Sequence, residues 1–345
     1  MKSMQLTGIR QMKMLDVPKP DIQNDTDVLI RMQAVGVCGS DVHYYVTGKI
    51  GSQVVQYPFP VGHEGAGIVE KVGSEVSSLR VGDRIAIEPA MPCGTCDQCL
   101  AGRPHTCRKL RFLGCPGQAE GCLSEYIVMP QGSCLPIPAS MILEQASISE
   151  PLAIGLYAAH LAGELKGKNI AILGSGPIGL SVLAGVRLAG AANVHVTDKI
   201  DERLAIARKS GATDTYNILR QDVVMKMKKR EPLMLDVVFE CCGRQEALDQ
   251  AINLLKPGGK LLIVGIPEFS RFSFPVDDLR RKEICIQNVR RQNGCDKEAI
   301  RVIADGSVAV DHWITHRFDF EDCKEAFDLV AGYQDGVMKA MINIQ

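Results

Sequence analysis

Short apolar segments alternate with turn-forming residues through the first 150 positions. Residues 28–32, 67–72 and 82–87 have strand-like patterns bounded by Gly, Asp and Pro. Because the segments are short and closely spaced, they predict a compact, mostly β domain.

The pattern changes at Glu150 and Pro151. Proline suits the first turn of a helix, and a helix-like run follows at 152–160. Apolar strands and helices then alternate, with strands at 169–173, 194–197, 235–240 and 260–266 and helices at 177–188, 202–210 and 247–255. This alternation predicts an α/β fold with a parallel, doubly wound sheet. It stops near Arg290, so the last segment either returns to the first domain or forms a separate cap.

Length and charge narrow the class of protein. A chain of 345 residues is long enough for two hydrophobic cores. Lys and Arg number 39 against 40 Asp and Glu, so neither nucleic acid nor a membrane surface is an expected partner. The sequence has neither a secretory signal nor an apolar run of about 18 residues. We therefore expect a cytoplasmic protein.

A glycine motif lies between the predicted strand 169–173 and the helix after it. It reads Gly174-Ser175-Gly176-Pro177-Ile178-Gly179, which is G-x-G-x-x-G. Gly174 permits the tight turn, Gly176 lets the backbone approach a pyrophosphate, and Gly179 allows close packing of helix on strand. The helix N-terminus favours phosphate. The motif and its context predict a dinucleotide site.

An acidic residue at the end of the next strand indicates which dinucleotide the site binds. Asp198 is placed to accept hydrogen bonds from the adenosine ribose and to repel the extra phosphate of NADP. This favours NAD, although the neighbouring Lys199 keeps NADP open. The alternative is that Asp198 only caps the following helix. Arg203 either packs on the adenine or is a solvated helix-face residue.

Four of the 13 cysteines are crowded into one short segment. Cys93, Cys96, Cys99 and Cys107 have the spacing C-x2-C-x2-C-x7-C, which is typical of a closed tetrahedral zinc site. An iron–sulfur cluster and unrelated free thiols are the alternatives. The spacing therefore predicts a structural zinc without an open position for chemistry.

A sparser set of metal-binding side chains lies in the β domain and at its end. Cys38 and His63-Glu64 lie on predicted turns, and Glu150 lies where the pattern changes. Thiolate, imidazole and carboxylate together suit a zinc ion with a position left for water or substrate. By spacing alone, His63 and Cys38 are more readily explained as structural residues than as ligands.

The motif Gly62-His63-Glu64-x2-Gly67-x5-Gly73-x2-Val76 resembles the zinc signature of the medium-chain alcohol dehydrogenases. The resemblance covers almost the whole chain, including the four-cysteine segment and the nucleotide motif. Within that family, residues 40–44, 48–51 and 85–89 are most similar to sorbitol and xylitol dehydrogenases.

The resemblance implies both a fold and a set of zinc ligands. A GroES-like catalytic domain would span 1–152 and be completed by 290–345, with a Rossmann domain at 153–289. Cys38, His63 and Glu64 would bind a catalytic zinc, and Glu150 would bind directly or through water. With the structural site, this implies two zinc ions per chain, and NAD as the coenzyme.

The same resemblance implies oxidation of a secondary polyol hydroxyl to a ketone. Ser40 would accept the hydroxyl proton and His43 would pass it on, while Tyr44 and Arg290 would hydrogen-bond neighbouring substrate hydroxyls. Each has a simpler alternative, namely a turn cap for Ser40, a surface position for His43, core packing for Tyr44 and a salt bridge for Arg290.

Two departures from the polyol pattern keep other functions open. Animal sorbitol dehydrogenases lack the four-cysteine segment, and Arg291 replaces their aromatic residue, which leaves an anionic substituent possible. A threonine 3-dehydrogenase-like enzyme, a sugar-phosphate alcohol dehydrogenase and a glucose dehydrogenase are rivals. The alternatives outside the zinc-dependent dehydrogenases are a zinc-free quinone reductase and a non-catalytic nucleotide-binding protein. The resemblance also implies a homo-oligomer, dimer or tetramer, to which the strand-like segment 283–287 could contribute a shared sheet edge.

Overall fold

A computed structural model describes residues 1–344 and divides them into two compact units. The first unit contains residues 1–150 together with 296 onward, and the second contains 151–295. The described segment after 296 therefore belongs with the N-terminal part of the chain. None of the described helices is long and apolar enough to cross a membrane.

The first unit is mostly β structure. Its N-terminal elements are β1 (Lys2–Gly8), β2 (Gln11–Asp16), β3 (Asp27–Gly36), α1 (Gly39–Thr47), β4 (Lys49–Ile50), β5 (Gln53–Val54), β6 (Glu64–Val72), β7 (Arg84–Ile87), β8 (Ala90–Met91), α2 (Asp97–Leu100), β9 (Arg111–Phe112), β10 (Tyr126–Pro130) and β11 (Cys134–Pro136). Helix α3 (Leu143–Ala162) follows.

The second unit alternates strands and helices as the sequence pattern predicts. Its elements are β12 (Asn169–Leu173), α4 (Pro177–Leu188), β13 (Asn193–Asp198), α5 (Asp201–Lys209), β14 (Asp214–Asn217), α6 (Val223–Arg230), β15 (Leu235–Glu240), α7 (Gln245–Leu254), β16 (Leu255–Ile263), α8 (Val276–Lys282) and β17 (Cys285–Asn288). The chain then adds α9 (Asp296–Ala304), β18 (Ile314–Asp319), α10 (Cys323–Ala331) and β19 (Lys339–Asn343) to the first unit.

A seven-stranded sheet organises the first unit. Its order is β11-β7-β6-β3-β19-β18, and β10 also pairs with β3. The C-terminal strand β19 runs antiparallel to β3, and β3 runs antiparallel to β6. The ends of β3, β6 and β19 therefore meet, although these strands are far apart in sequence.

The sheet of the second unit is parallel throughout. Its order is β14-β13-β12-β15-β16-β17, with the reversal of strand order between β12 and β15 that characterises a doubly wound sheet. Strand β12 is buried on both faces, since Ile170, Ala171 and Ile172 are fully buried. A continuous apolar run is what such a central parallel strand requires.

Two local predictions are wrong. Pro151 does not begin a helix, because it lies inside α3, which starts eight residues earlier at Leu143. Apolar residues are buried on both sides of Pro151, so the segment lacks the one-sided pattern that would have located its start. The turn predicted at Cys38 is instead the beginning of helix α1, with Cys38 as its N-cap residue.

Candidate functional site

Three of the predicted metal-binding side chains converge at the junction of β3, β6 and α1. One ligand atom each from Cys38, His63 and Glu64 lies within 4.8 Å of the others. Cys38 precedes α1, His63 directly precedes β6, and Glu64 is the first residue of β6. Soft thiol, imidazole and carboxylate donors around one point fit a zinc ion with an open coordination position.

A buried aspartate orients the imidazole. Asp41 Oδ1 lies 3.2 Å from His63 Nδ1 and also accepts a hydrogen bond from the Gly62 N–H at 3.3 Å. Burial opposes a charge on His63, but Asp41 and Cys38 raise the pKa of the imidazole well above its usual value. With Nδ1 engaged by Asp41, Nε2 is the nitrogen left for a metal, which is the usual arrangement around zinc-binding histidines.

Glu64 is held by a buried lysine. Lys339 on β19 places Nζ 2.5 Å from Glu64 Oε2 and donates to the Val37 carbonyl at 3.3 Å. The two side chains are only 2% and 1% exposed, so each charge needs the other. Gly36, opposite Glu64 in the sheet, makes room for the pair, because an added Cβ would lie 2.3 Å from Glu64 Oε2.

Glu150 lies in α3 near this group but outside the 4.8 Å cluster of ligand atoms. The pKa of Glu150 is raised to about 8, chiefly by burial and also by the negative charges of Glu64 and Glu88, against the opposing effects of His63 and Lys339. A cation at this position would favour the ionised carboxylate. The surroundings of Glu150 are therefore suited to a positive ion.

The four-cysteine segment has the geometry of a closed metal site. The ligand atoms of Cys93, Cys96, Cys99 and Cys107 all lie within 4.8 Å of one another. Cys96 Sγ is 3.6 Å from Cys99 Sγ and 3.8 Å from Cys107 Sγ. A tetrahedron with Zn–S bonds of ~2.3 Å has edges of about 3.8 Å. Hydrogen bonds from Thr95 lower the pKa of Cys93 to about 6, which favours the thiolate that zinc requires.

The glycine motif of the second unit has the backbone geometry that the sequence predicts. Gly174 has φ 102°, a conformation that favours glycine, and Gly176 is the N-cap residue of α4. At Gly179, an added Cβ would lie 1.9 Å from the Gly174 carbonyl oxygen. Pro177 begins the helix and Ile178 follows it. The helix N-terminus is thus brought close to the turn after β12.

Asp198 and Arg203 surround this turn. The Asp198 carboxylate accepts hydrogen bonds from the N–H groups of Ser175 at 2.7 Å and of Lys199 and Ile200 at 2.8 and 3.0 Å. It therefore links the glycine turn to the start of α5. Arg203 is only 7% exposed, so the solvated helix-face interpretation is wrong. Its guanidinium lies 3.6 Å from where a Cβ on Gly176 would be.

Comparisons with known proteins identify the family. Residues 24–139 match the alcohol dehydrogenase GroES-like domain, and residues 177–305 match the zinc-binding dehydrogenase domain. The chain is 37% identical to sorbitol dehydrogenase from Bacillus subtilis, over 99% of this chain and 97% of that protein. It is 35% identical to L-idonate 5-dehydrogenase from Vitis vinifera, over 98% and 93%. The chain belongs to the zinc-dependent medium-chain dehydrogenases.

A solved structure agrees with this assignment. An oxidoreductase/dehydrogenase of unknown specificity from Escherichia coli superimposes with a TM-score of 0.94 at 32% identity, covering 100% of this chain and 99% of that one. The predicted fold class, a GroES-like domain with a Rossmann domain, is confirmed. So is the reaction class of this dehydrogenase, which is an oxidoreductase dependent on zinc and a nicotinamide nucleotide.

The predicted proton-relay and substrate residues occupy two regions of the dehydrogenase. Ser40, His43 and Tyr44 lie on α1, and the Ser40 hydroxyl donates to Cys38 Sγ at 3.3 Å. Tyr44 is buried, whereas His43 is half-buried. Arg290 follows β17 in the second unit and is exposed.

Sequence reasoning missed three side chains around the metal-binding group. Asp41 is recognisable from sequence only as a neighbour of Cys38, and its contact with His63 depends on the start of α1. Lys339 lies 275 residues from Glu64 in the sequence and is not part of a recognisable local motif. Phe112 packs against the His63 ring in a tilted arrangement, with centroids 5.3 Å apart.

Replacing the buried lysine tests the charge pairing. Lys339→Met leaves the Glu64 charge buried without its partner, so we expect a loss of about 3–5 kcal/mol in the free energy of unfolding. The control is Lys324→Met, which breaks the exposed pair with Asp328 and should cost ~0–1 kcal/mol. Urea unfolding of the two variants measures the difference. Equal losses would contradict the role assigned to the pair.

The close approach at Gly179 predicts a defect in coenzyme binding. Gly179→Ala drives a methyl group into the Gly174 carbonyl, and overpacking of this kind costs about 1–3 kcal/mol. We expect NADH to bind at least about fivefold more weakly in a fluorescence titration. Gly132→Ala is the control, since an added Cβ there meets nothing within 4 Å. Unchanged affinity for NADH in Gly179→Ala would refute the assigned function of the turn.

Proposed function

We propose that this enzyme oxidises a secondary hydroxyl of a polyol of the sorbitol or xylitol type to a ketone, with NAD as the hydride acceptor. The observation that carries the proposal is the convergence of Cys38, His63 and Glu64, with His63 oriented by Asp41. The similarity to a sorbitol dehydrogenase over nearly the full length of both chains supports the substrate class.

Two zinc sites per chain are part of the proposal. Cys38, His63 and Glu64 would hold the catalytic ion, and Glu150 would bind it directly or through water. Zinc bound there would supply Lewis acidity that lowers the pKa of a substrate hydroxyl. The four-cysteine segment would hold the structural ion, whose thiolate shell leaves no position for substrate. The division into a catalytic domain of 1–152 with 290–345 and a Rossmann domain of 153–289 stays a prediction.

Two residues of helix α1 would transfer the proton of the substrate hydroxyl. The Ser40 hydroxyl lies beside the Cys38 sulfur, at 3.3 Å, and is thus next to the proposed substrate position. His43 follows one helical turn later on the same side of α1, since positions three apart are neighbours on a helix. Ser40 would accept the substrate proton and His43 would pass it towards solvent. Tyr44 and Arg290 would bind the hydroxyls that distinguish a polyol from a simple alcohol.

The proposed preference for NAD rests on Asp198. Its carboxylate ends β13 beside the glycine turn and carries a negative charge where the adenosine ribose is expected. A ribose hydroxyl can donate to this carboxylate, whereas the extra phosphate of NADP would be repelled. Arg203 beside Gly176 would contact the adenosine part of the coenzyme.

A second candidate substrate is a sugar acid. Arg291, half-buried, has φ 53°, a backbone conformation that residues other than glycine rarely adopt. An arginine guanidinium is suited to binding a carboxylate in a bidentate geometry. The relative from Vitis vinifera is an L-idonate dehydrogenase, and idonate combines a polyol chain with a carboxylate.

We also propose a homo-oligomer, dimer or tetramer, in which β17 takes part. Strand β17 is the last in the sheet order and pairs with β16 on one side. An exposed strand edge is a ready surface for pairing with a second copy across a two-fold axis. A location in the cytoplasm remains a prediction.

Metal analysis and a substrate panel test the function. We expect about two zinc ions per chain and turnover of xylitol or sorbitol with NAD in preference to NADP. Cys38→Ser should lose one zinc and the activity, while Cys99→Ser should lose the other zinc and mainly stability. Preferred turnover of idonate would favour the second candidate. The proposal fails if polyols are not oxidised while threonine or a phosphorylated alcohol is, or if Cys38→Ser keeps the full zinc content.

Light scattering tests the oligomer. We expect a molar mass of two or four chains, and Cys285→Lys at the start of β17 should shift the mass towards one chain, because an edge lysine opposes strand pairing. Leu219→Lys is the control, being an exposed apolar residue outside β17. A wild-type mass of one chain would exclude the proposed assembly.

A further inference from the structure

The hydroxyl of Tyr44 belongs to a small polar cluster, which we call the Tyr44 triad (Tyr44, Gln53 and Cys115). Tyr44 donates to Gln53 Oε1 at 3.0 Å, and Gln53 Nε2 donates to Cys115 Sγ at 2.8 Å. The Tyr44 oxygen lies 3.8 Å from Cys115 Sγ, which closes the cluster. Tyr44 and Cys115 are each 4% exposed, and Gln53 is half-buried.

The Tyr44 triad joins helix α1, which directly follows Cys38, to the loop that packs against His63. Tyr44 is on α1, whose N-cap residue is Cys38. Cys115 follows β9, and Phe112 of β9 packs against the His63 ring. The same loop packs directly on the backbone before His63, because an added Cβ on Gly114 would lie 2.7 Å from the Gly62 carbonyl oxygen. The cluster therefore joins two segments that help to place Cys38 and His63.

The oxygen and the nitrogen of the Gln53 amide have different hydrogen-bond partners. The amide nitrogen is engaged by the buried Cys115 sulfur, so the amide oxygen is turned towards Tyr44. A phenol has one proton to donate. Because Gln53 takes that proton, any further hydrogen bond of the Tyr44 oxygen is one that it accepts.

We propose that Gln53, held by Cys115, is a positioning residue that makes Tyr44 a hydrogen-bond acceptor for a substrate hydroxyl next to the carbon being oxidised. The inference rests on the proposed polyol function and sharpens it. An accepting Tyr44 selects substrates with a hydroxyl at the neighbouring carbon, which can donate. Simple secondary alcohols, and substrates with an ether or carbonyl at that carbon, gain nothing from it.

Steady-state kinetics of Gln53 and Tyr44 variants test the inference. Gln53→Leu should raise KM for the preferred polyol roughly tenfold with little change in kcat, which is the effect of losing one uniformly acting hydrogen bond. KM for 2-propanol should stay unchanged. Gln53→Glu retains an acceptor for the phenol and should recover most of the polyol KM.

A double-mutant cycle separates positioning from general damage. Because Gln53 acts through the Tyr44 hydroxyl, Gln53→Leu should raise KM no further in a Tyr44→Phe background. Gln131→Leu is the matched control, since Gln131 accepts from Ser78 far along the chain from the Tyr44 triad. It should leave KM unchanged for both substrates.

Three results would overturn the inference. They are an equal rise in KM for the polyol and 2-propanol, additive effects of Gln53→Leu and Tyr44→Phe, and an unchanged polyol KM in Gln53→Leu. In each case the wild-type enzyme oxidises polyols, so the proposed function survives. A wild-type enzyme without polyol activity overturns the proposed function and this inference together.

Discussion

Buried charge is the constraint on which the arrangement around the proposed zinc site depends. Glu64 and Lys339 are both almost completely buried, and a charge in that environment costs several kcal/mol unless an opposite charge meets it. The pair forms only because β3 separates β6 from β19 and carries Gly36 opposite Glu64, where a larger residue would collide with the carboxylate. The buried pair therefore depends on the sheet order, on Gly36 and on Lys339 together.

The same constraint explains why the neighbouring groups are connected rather than isolated. His63 is buried, and its imidazole is stabilised by Asp41 on one side. Asp41 also accepts from the Gly62 N–H, which fixes the backbone immediately before His63. Basic side chains and carboxylates are therefore paired through the site, Lys339 with Glu64 and His63 with Asp41. A zinc ion between Cys38, His63 and nearby carboxylates continues this pairing of opposite charges.

Features encoded by adjacent residues could be predicted from sequence. The glycine turn needs only a strand, three glycines and a helix in order, and the four-cysteine site needs only its spacing. Strands β12 and β15 were predicted with the bounds that the structure has, since their buried apolar runs end sharply. The beginning of α3 was missed because that helix is apolar on both sides of Pro151.

Contacts between residues that are far apart in the sequence could not be predicted. Lys339 meets Glu64 across 275 positions, and Cys115 meets Gln53 across 62. Neither lysine nor glutamine has a spacing rule for such contacts, and a buried lysine is improbable from composition alone. The turn predicted at Cys38 shows the same limit, because only the packing of α1, including the Tyr45 ring against Phe327, identifies it as a helix.

Substrate choice within this family depends on how polar groups beside the metal are held. A zinc ion activates any hydroxyl that reaches it, so the ion alone does not separate a polyol from a simple alcohol. Discrimination needs a second polar group whose donor and acceptor roles are fixed, because a site built to hydrogen-bond a hydroxyl strongly disfavours substrates that lack it. A tyrosine hydroxyl free to rotate offers either role and discriminates poorly. Fixing its proton on Gln53 removes that ambiguity, which is why a residue that acts only through Tyr44 can influence specificity.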